Sequence, residues 1–436
     1  MPNIHLTPHS LRRGLVFLMK VGIVVILALL FSIVLIWFTP TLYARRGHIL
    51  GVVFYAFLFS VISIPYDGFK IGILRLRELQ FSFLLSITIT NVISYIVLAL
   101  ISRAIIDVVP MLVLSAAQML TGYVYYAFAN FWYFKLYPSR DAVIVYTDSA
   151  WDKDVAKKFE AMQERYNIKA ICKETDGYAA IIERLADNNT CIMGQIKPDL
   201  RHALLNYCYE NNKRVFVMPA VDDIIMHNAH VTQIGDSLVY LVKNRALSLE
   251  QMILKRAMDI VLSVLILLVT SPFMLVTALL IKISDRGPVL FRQLRYTRNE
   301  EVFNILKFRS MIVDAEKDGA RLTTQNDNRI TAIGRFMRKT RIDEIPQFIN
   351  VIRGDMSIVG PRAERVENYD EYVKHMPEFA YRSKVKSGIT GYAQIYGKYN
   401  TSFEDKARMD IHYIENYSLR NDIKLLFATM KVIFKN

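Results

Sequence analysis

Cysteine is scarce in this 436-residue chain, and the little there is forms no pattern. Cys172, Cys191 and Cys208 lie in one segment without CxxC or other metal-ligand spacing. That argues against a thiolate metal centre or a disulfide framework and fits reduced thiols facing a cytosol. Histidine adds nothing: His375 and His412 are isolated, show no ligand spacing and read as structural or surface residues. Acid is in deficit, with 40 Asp and Glu against 54 Lys and Arg, so the formal net charge is +14. Such a balance suits an anionic membrane surface, nucleotide phosphates or nucleic acid. Apolar residues are what the chain has in abundance, at 53%. That is too apolar for an ordinary soluble protein, and the length is too great for one compact domain. The hydrophobic segments select membrane lipid as the partner; no nucleic acid is expected.

Apolar stretches at about 15–38, 48–64, 82–101 and 105–133 have the length of membrane helices. The first is too long for a signal-peptide core and lacks a clear small-residue cleavage site, so it is kept as structure. Arg12, Arg13, Lys70, Arg75, Arg77, Lys135 and Arg140 fall on one side of this set; Arg45, Arg46 and Arg103 fall on the other. Lys and Arg concentrate in cytoplasmic loops, which puts the N-terminus in the cytoplasm and returns the chain there after four crossings.

Residues 139–245 alternate between strand and helix patterns. Ala142–Tyr146, Ile168–Cys172, Thr190–Gly194 and Arg214–Met218 read as strands, with helices over Asp152–Tyr166, Tyr178–Asp187 and Leu200–Asn211. This predicts a doubly wound parallel sheet. The turn after the first strand, Thr147-Asp148-Ser149-Ala150-Trp151, has no glycine, and a dinucleotide site needs glycines there for backbone to approach a pyrophosphate. A structural or regulatory module is expected, not a working nucleotide site.

From Ile260 to Ile281 there are 22 residues without a charge, enough to span a bilayer. Ser271-Pro272 sits in the middle, where proline removes a helix hydrogen bond at a cost of about 3 kcal/mol. Basic residues flank both ends: Lys255 and Arg256 before, Lys282 and Arg286 after. A proline-kinked spanning helix and a re-entrant helix fit these residues equally.

The run Thr340-Arg341-Ile342-Asp343-Glu344-Ile345-Pro346-Gln347 is the most informative segment. Two adjacent carboxylates lie among Arg335, Arg338, Lys339 and Arg341 before and Arg353 after. Pro346 is tolerated only in a first helical turn, so a helix through Phe348–Arg353 is expected to begin near Asp343, with both carboxylates at its positive end. An ionised carboxylate there can act as nucleophile or metal ligand, or simply cap a helix. Around it stand Phe291-Arg292-Gln293, Lys307-Phe308-Arg309-Ser310-Met311, the run Gly354-Asp355-Met356-Ser357-Ile358-Val359-Gly360-Pro361-Arg362, and Gly388-Ile389-Thr390-Gly391-Tyr392-Ala393-Gln394. Phosphoryl transfer is chiefly positioning and charge stabilisation, so cations must surround the reacting phosphorus. Lys307, Arg309, Arg338 and Arg362 are the candidates for holding phosphate oxygens, while Asp355 reads as a turn residue.

Over about residues 250–436, in motif order, these segments resemble the bacterial sugar transferases, or monotopic phosphoglycosyl transferases. The preceding membrane helices and α/β segment look like the large form of that family, the polyprenyl-phosphate hexose-1-phosphate transferases. Asn400-Thr401-Ser402 and Asp410–Tyr417 are similar to members serving capsule or exopolysaccharide synthesis. The resemblance implies transfer of a sugar-1-phosphate from a UDP-sugar to polyprenyl (undecaprenyl) phosphate, with Mg2+, at the cytoplasmic face of a bacterial inner membrane. It implies that Asp343 is the nucleophile, releasing UMP, and that Glu344 helps to hold the metal or activate the acceptor. A proline-arginine-proline phosphate motif falls on Pro361-Arg362-Ala363, with alanine for the last proline. The glycines usual after Arg292-Gln293 are replaced by Arg295-Tyr296-Thr297-Arg298-Asn299-Glu300. Because UDP-sugars are cytosolic, the resemblance favours re-entry at Ser271-Pro272. Homodimerisation is expected by resemblance only.

The expected architecture is a multi-domain membrane protein. It comprises a four-helix transmembrane bundle over residues 1–138, a Rossmann-like α/β cytosolic domain over 139–245 and a re-entrant membrane helix over 246–284. A mostly α-helical catalytic domain follows over 285–436. A last helix, Leu419–Lys435, gathers Leu419, Ile423, Leu426, Met430 and Ile433 on one face and Lys424, Lys431 and Lys435 on the other, a pattern for an interface or for core packing. Two rivals remain: a non-catalytic membrane scaffold for polymer assembly, and a nucleotide-sugar epimerase or dehydratase. The latter needs a glycine-rich turn, which is absent, and a Tyr-x-x-x-Lys pair, for which Tyr381–Val385 gives no support.

Overall fold

The structure, a computed structural model, describes residues 8–38, 45–147, 156–242, 247–313, 315, 327–397 and 401–435. The turn from Asp148 to Trp151, the residues 152–155 that follow it and Asn400 therefore lie outside the described residues, as do the side chains of Arg45, Arg46, Ile433 and Lys435. The chain folds as two compact units, Met1–Met218 and Pro219–Asn436.

The first unit opens with four apolar helices, α1 (Pro8–Phe38), α2 (Arg45–Ser63), α3 (Leu76–Ser102) and α4 (Val109–Leu136). Their inward faces follow helical spacing. Ile23, Leu27, Phe31 and Leu35 of α1 meet Tyr55 and Phe59 of α2, Leu79, Phe83 and Ile87 of α3, and Leu114 and Tyr126 of α4. Gly122 permits the closest approach, since a Cβ there would come within 2.0 Å of the Phe83 ring. Buried polar groups at the centre satisfy one another: Tyr55 OH donates to Asn91 Oδ1 at 2.7 Å, and Asn91 Nδ2 donates to Gln118 Oε1 at 2.9 Å. Gln118 Nε2 returns a bond to Tyr55 OH at 2.9 Å, closing the network. Among the described residues, α1, α3 and α4 have the length and apolarity to cross a membrane, but the apolar part of α2 is only the 17 residues of Gly47–Ser63. That makes about 25 Å of helix, at the short limit for a hydrocarbon core of about 30 Å. The fourth helix of sufficient length is Leu249–Ser284, in the second unit.

A small sheet completes the first unit. Strands β1 (Arg140–Tyr146), β2 (Tyr166–Lys173), β3 (Thr190–Met193) and β4 (Arg214–Val217) pair in the order β2-β1-β3-β4, all parallel. Ala142, Val143, Ile144 and Val145 are all buried, the continuous apolar run of a strand covered on both faces. Cys172, Cys191 and Cys208 belong to that core, which explains thiols without ligand spacing. One Tyr-x-x-x-Lys spacing occurs at Tyr66–Lys70, where Tyr66 is buried and Lys70 pairs with Asp67, and another at Tyr209–Lys213, where Tyr209 is 87% exposed and Lys213 Nζ is occupied by the carbonyls of Ala186 and Asn188. Neither supports the epimerase reading.

The second unit begins earlier than the composition suggested. Helix Val221–His227 packs on helix Phe403–Glu415, and β5 (His230–Ile234) pairs with β6 (Ser237–Leu241) as an exposed hairpin. The long helix Leu249–Asp285 starts at a capping box, with Gln251 N donating to Ser248 Oγ and Ser248 N donating to Gln251 Oε1. It runs on through Pro272 as one element. The carbonyl of Leu268, which loses its usual donor because proline has no N–H, accepts from Ser271 Oγ at 2.8 Å. Ser271-Pro272 thus marks a mended point in the helix, not an end of it.

Two further sheets hold the site. β7 (Leu290–Tyr296) and β8 (Val302–Phe308) form an antiparallel hairpin, and β9 (Ser357–Val359) lies parallel to β10 (Gly388–Thr390). The turn joining β7 to β8 needs left-handed backbone, which Asn299 (φ 55°) and Glu300 (φ 60°) supply in place of glycine. The long helix anchors β9 through buried charges. Lys255 Nζ donates to the Val359 carbonyl at 2.9 Å and pairs with Asp422 at 2.7 Å, while Asp259 accepts from Ser357 Oγ and Ile358 N. The last helix, Leu419–Lys435, consequently buries Asp422, Leu425 and Ala428. Ile423 and Met430, expected on its apolar face, stay 41% exposed.

Candidate active site

The Asp-Glu pair does not occupy the first turn of a helix. Helix Ala332–Thr340 is capped by Thr331 Oγ1, which accepts from Gly334 N at 2.9 Å, and ends at Arg341 in left-handed backbone with φ 58°. A separate 3-10 turn, Ile342–Glu344, then carries the dyad, and the next helix starts only at Gln347, with Pro346 at its cap position. Hydrogen bonds from Glu344 N to Arg341 O and from Ile345 N to Ile342 O keep the tighter winding. The expected electrostatic help from a helix N-terminus is thus replaced by side-chain cations.

Three of them converge on Glu344. Lys307 Nζ lies 2.9 Å and Arg362 Nη2 3.4 Å from Oε1, and Arg341 Nη1 lies 3.6 Å from Oε2. Burial alone would raise the Glu344 carboxyl, but Lys307, Arg362 and Arg341 outweigh it and hold the group well below the usual carboxylate range. Asp343 is only 9% exposed, and its carboxylate forms no ion pair among the described residues. Burial, and then the Glu344 charge, push its pKa up against the pull of Lys307 and Arg338. Burial also lowers the Lys307 ammonium, opposed by Glu344, and the Glu344 charge raises Arg362. One carboxylate is therefore locked by cations, while its neighbour is dehydrated and little compensated. Desolvation and few partners make Asp343 the more reactive of the two towards an electrophile.

The dyad lines a cavity of about 740 Å3 whose walls carry eight cationic residues against the two carboxylates. All four expected phosphate-holding residues, Lys307, Arg309, Arg338 and Arg362, are on its wall. Arg309 is 7% exposed and lies against Gly287, where a Cβ would come within 2.0 Å of its Nη1. Arg338 Nε donates to Ser310 Oγ at 2.8 Å. Gln293 also lines the cavity, whereas Arg292 is exposed outside it. His375 pairs with Glu371 at the surface, and His412 packs edge-on to Tyr392; neither lines the cavity.

The loop after β9 does not need its missing proline. Arg382 Nη2 donates to the Arg362 carbonyl at 2.9 Å, Arg295 Nη1 to the Ala363 carbonyl at 3.0 Å, and Gly388 N to the Pro361 carbonyl at 2.7 Å. Arg382 is itself fixed by Asp410 at 2.6 Å. Asn350, fully buried, joins the helix that follows the dyad to the Lys307 strand, accepting from Leu306 N and donating to the Asn304 carbonyl and to Asp355 Oδ2. Asp355 is a turn residue with that second duty. Of these supports, only Arg341 had a sequence signal, its place beside the dyad. Arg295, Arg382 and Asn350 act across long sequence separations that no local motif records.

Residues 250–436 match the family described as Bacterial sugar transferase. The chain is 40% identical over 227 residues to UDP-glucose:undecaprenyl-phosphate glucose-1-phosphate transferase of Escherichia coli K12, covering 51% of this chain and 49% of that protein. It is 39% identical over 217 residues to UDP-N-acetylgalactosamine-undecaprenyl-phosphate N-acetylgalactosaminephosphotransferase of Aeromonas hydrophila, covering 47% of this chain and 51% of the relative. The exopolysaccharide production protein PSS of Rhizobium leguminosarum bv. phaseoli is 41% identical over 191 residues, 41% of this chain but 94% of its own length. The chain thus spans about half the length of the first two relatives and nearly all of the third.

Proposed function

The chain belongs to the bacterial sugar transferase family, and on that premise we propose that it moves a sugar-1-phosphate from a UDP-sugar to polyprenyl phosphate, releasing UMP. The observation that carries this reading is the asymmetry of the dyad. Glu344 is paired with three cations, and Asp343 beside it is buried with no ion pair among the described residues, on the wall of a strongly basic cavity.

In the first step an Asp343 carboxylate oxygen attacks the phosphorus that bears the sugar. An acyl phosphate bond forms and the bond to the bridging oxygen breaks, so that UMP leaves with that oxygen and its electron pair. Lys307, Arg309, Arg338 and Arg362 hold the diphosphate oxygens and stabilise the charge that shifts onto UMP. In the second step a phosphate oxygen of the polyprenyl phosphate attacks the same phosphorus, the bond to Asp343 breaks, and the carboxylate returns. The product is a polyprenyl diphosphate sugar, the start of a lipid-linked surface glycan; the Rhizobium relative's name favours exopolysaccharide. Asp343, which forms no ion pair among the described residues, could hold a hard divalent cation together with substrate phosphates, and Glu344 could join it by sharing oxygens that Lys307, Arg341 and Arg362 already pair. Bound there, Mg2+ would offset phosphate charge during transfer. Glu344 also keeps the three cations in register with Asp343.

The membrane reading belongs to the same proposal. Both halves of the long helix pack on the second unit: Lys255 and Asp259 on β9, and Met274, Ala278 and Ile281 on Phe308 and Met337. The stretch between them, including Leu265, Leu268, Val269 and Phe273, is apolar and exposed. That pattern supports a helix that dips into the bilayer near Ser271-Pro272 and returns to the cytoplasmic face of a bacterial inner membrane, where UDP-sugars are available. The parallel order of the small sheet supports a Rossmann-like module; homodimerisation is proposed from family likeness alone.

A panel of UDP-hexoses and UDP-N-acetylhexosamines tests the function. At least one should give continuous UMP release with undecaprenyl phosphate and Mg2+, and about one equivalent without the lipid. No UMP from any donor, with or without lipid, would favour the scaffold reading instead. The two relatives differ in sugar at nearly equal identity, so the panel must be broad.

A further inference from the structure

The basic cavity is not alone at the dyad. A second cavity, of about 800 Å3, lies against the same residues and has the opposite character. Its walls are mainly aliphatic and aromatic, drawn from Leu262 and Ile266 of the long helix, Phe348 beside the dyad, and Ile423, Leu426 and Met430 of the last helix. Arg341, Glu344 and Arg362 line both cavities; Asp343 lines only the basic one. Val261, Ile423 and Met430, at 57%, 41% and 41% exposure, bring the apolar cavity to the surface beside the exposed apolar stretch of the long helix.

We propose that this apolar cavity seats the isoprenoid units next to the phosphate of the lipid acceptor, and that Arg341, Glu344 and Arg362 form the partition across which acceptor and donor meet. The inference rests on the functional reading above. It adds where the acceptor sits and divides the dyad between substrates: Asp343 faces the donor's cavity and Glu344 both. An apolar wall with cations at one end favours a ligand that is apolar along its length and anionic at its tip. An isoprenoid phosphate is such a ligand, with no polar group along its chain to desolvate. Two guanidiniums at the polar end, Arg341 and Arg362, suit the one anionic group such a lipid carries. The arrangement also explains a motif that the donor chemistry leaves unused. Ile389, Thr390 and Gln394 of the Gly388–Gln394 run line the apolar cavity, and none of them lines the basic one.

The rim tests this, because Ile423 and Met430 are exposed enough to take a larger side chain. Ile423→Trp and Met430→Trp should each raise the KM for undecaprenyl phosphate at least tenfold, while the single equivalent of UMP released without lipid stays within twofold of the parent. A ten-carbon prenyl phosphate, which uses less of the cavity, should lose less than the full-length lipid. In the unsubstituted protein, a diazirine-bearing polyprenyl phosphate should label peptides spanning 258–266 and 423–432. An unchanged lipid KM in both variants, or labelling confined to other peptides, overturns the assignment of the cavity. Absence of lipid-free UMP release from the parent with every donor would instead bring down the functional reading, and this proposal with it.

Discussion

Replacing Glu344 by glutamine keeps the side chain's shape and removes one negative charge from among three cations. Glu344 is 15% exposed and Lys307 19%, whereas Arg362 and Arg341 are 42% and 47% exposed. The two arginines can turn to water, so their share is small; Lys307 is left as a largely buried cation beside a neutral amide. Stranding a buried charge costs about 3–5 kcal/mol, and the residual exposure of Lys307 selects the lower end, about 3 kcal/mol. For a unit of this size each kcal/mol moves the midpoint by about 2–4 °C, so Glu344→Gln should lower Tm by about 6–12 °C at pH 7. The pH dependence is a second signature. The folded pKa of Glu344 is depressed, so its contribution is complete above the ordinary value of about 4.5 and fades as pH falls towards the folded value. Asp343 has the opposite sign: its folded pKa is raised, so its contribution is present in acid and is lost as pH rises through the folded value. The substitution abolishes the Glu344 contribution and, by removing a charge that pushes Asp343 up, relieves part of the Asp343 shift, a smaller effect than the loss at Lys307. The gap in Tm between parent and variant, measured by thermal unfolding in detergent, should therefore narrow as pH drops below about 4.5. An equal or higher Tm for Glu344→Gln at pH 7, or a gap that widens in acid, would refute the electrostatic account of the dyad.

The other predictions concern the supports. Arg341→Gly relieves a left-handed φ worth about 1–2 kcal/mol against about 0.5–1 kcal/mol of extra chain entropy, so stability should stay within about 1 kcal/mol of the parent. UMP release should nevertheless fall at least tenfold, because a guanidinium leaves the wall of the basic cavity; equal loss of stability and activity would contradict this. Arg382→Met strands Asp410 and frees the Arg362 carbonyl, so unfolding should be easier by about 3–5 kcal/mol. Adding Asp410→Asn should restore part of that, and a double variant no more stable than the single one would speak against the pair. Chelation with EDTA should stop UMP release and Mg2+ should restore it; undiminished release in EDTA would remove the metal from the proposal.

What was readable from sequence, and what was not, follows from the range of each interaction. The apolar helices, β1 to β4 and the last helix, Leu419–Lys435, announce themselves through local periodicity; the strands and the last helix end within two residues of expectation, while α1 and α3 begin at Pro8 and Leu76, ahead of their apolar stretches. The grouping of the candidate residues was legible too: Lys307, Arg309, Arg338, Arg362, Asp343 and Glu344, drawn from separate motifs, line one cavity. The winding of the dyad was not. Pro346 restricts its own φ but does not say whether the preceding residues continue as α-helix or as a 3-10 turn, and the left-handed Arg341 decides that. The last helix buries Asp422, Leu425 and Ala428, a face beside the apolar one its spacing shows, for a tertiary reason. Lys255, distant in sequence, pairs with Asp422 and rotates that polar residue inward, leaving Ile423 and Met430 for the apolar cavity. The bounds of the second unit were hidden likewise, since helix Val221–His227 follows the strands in sequence but packs on Phe403–Glu415.

The most direct measurement is the mass of the protein itself. After incubation with a competent UDP-sugar and Mg2+ in the absence of lipid, intact-protein mass spectrometry should find the mass of one phosphosugar added, with peptide mapping at Asp343 and an equimolar yield of UMP. Undecaprenyl phosphate should then discharge it, and Asp343→Asn should never acquire it. An Asp343→Asn protein that still made lipid-linked sugar at the parental rate, or an adduct on any other residue, would contradict the account.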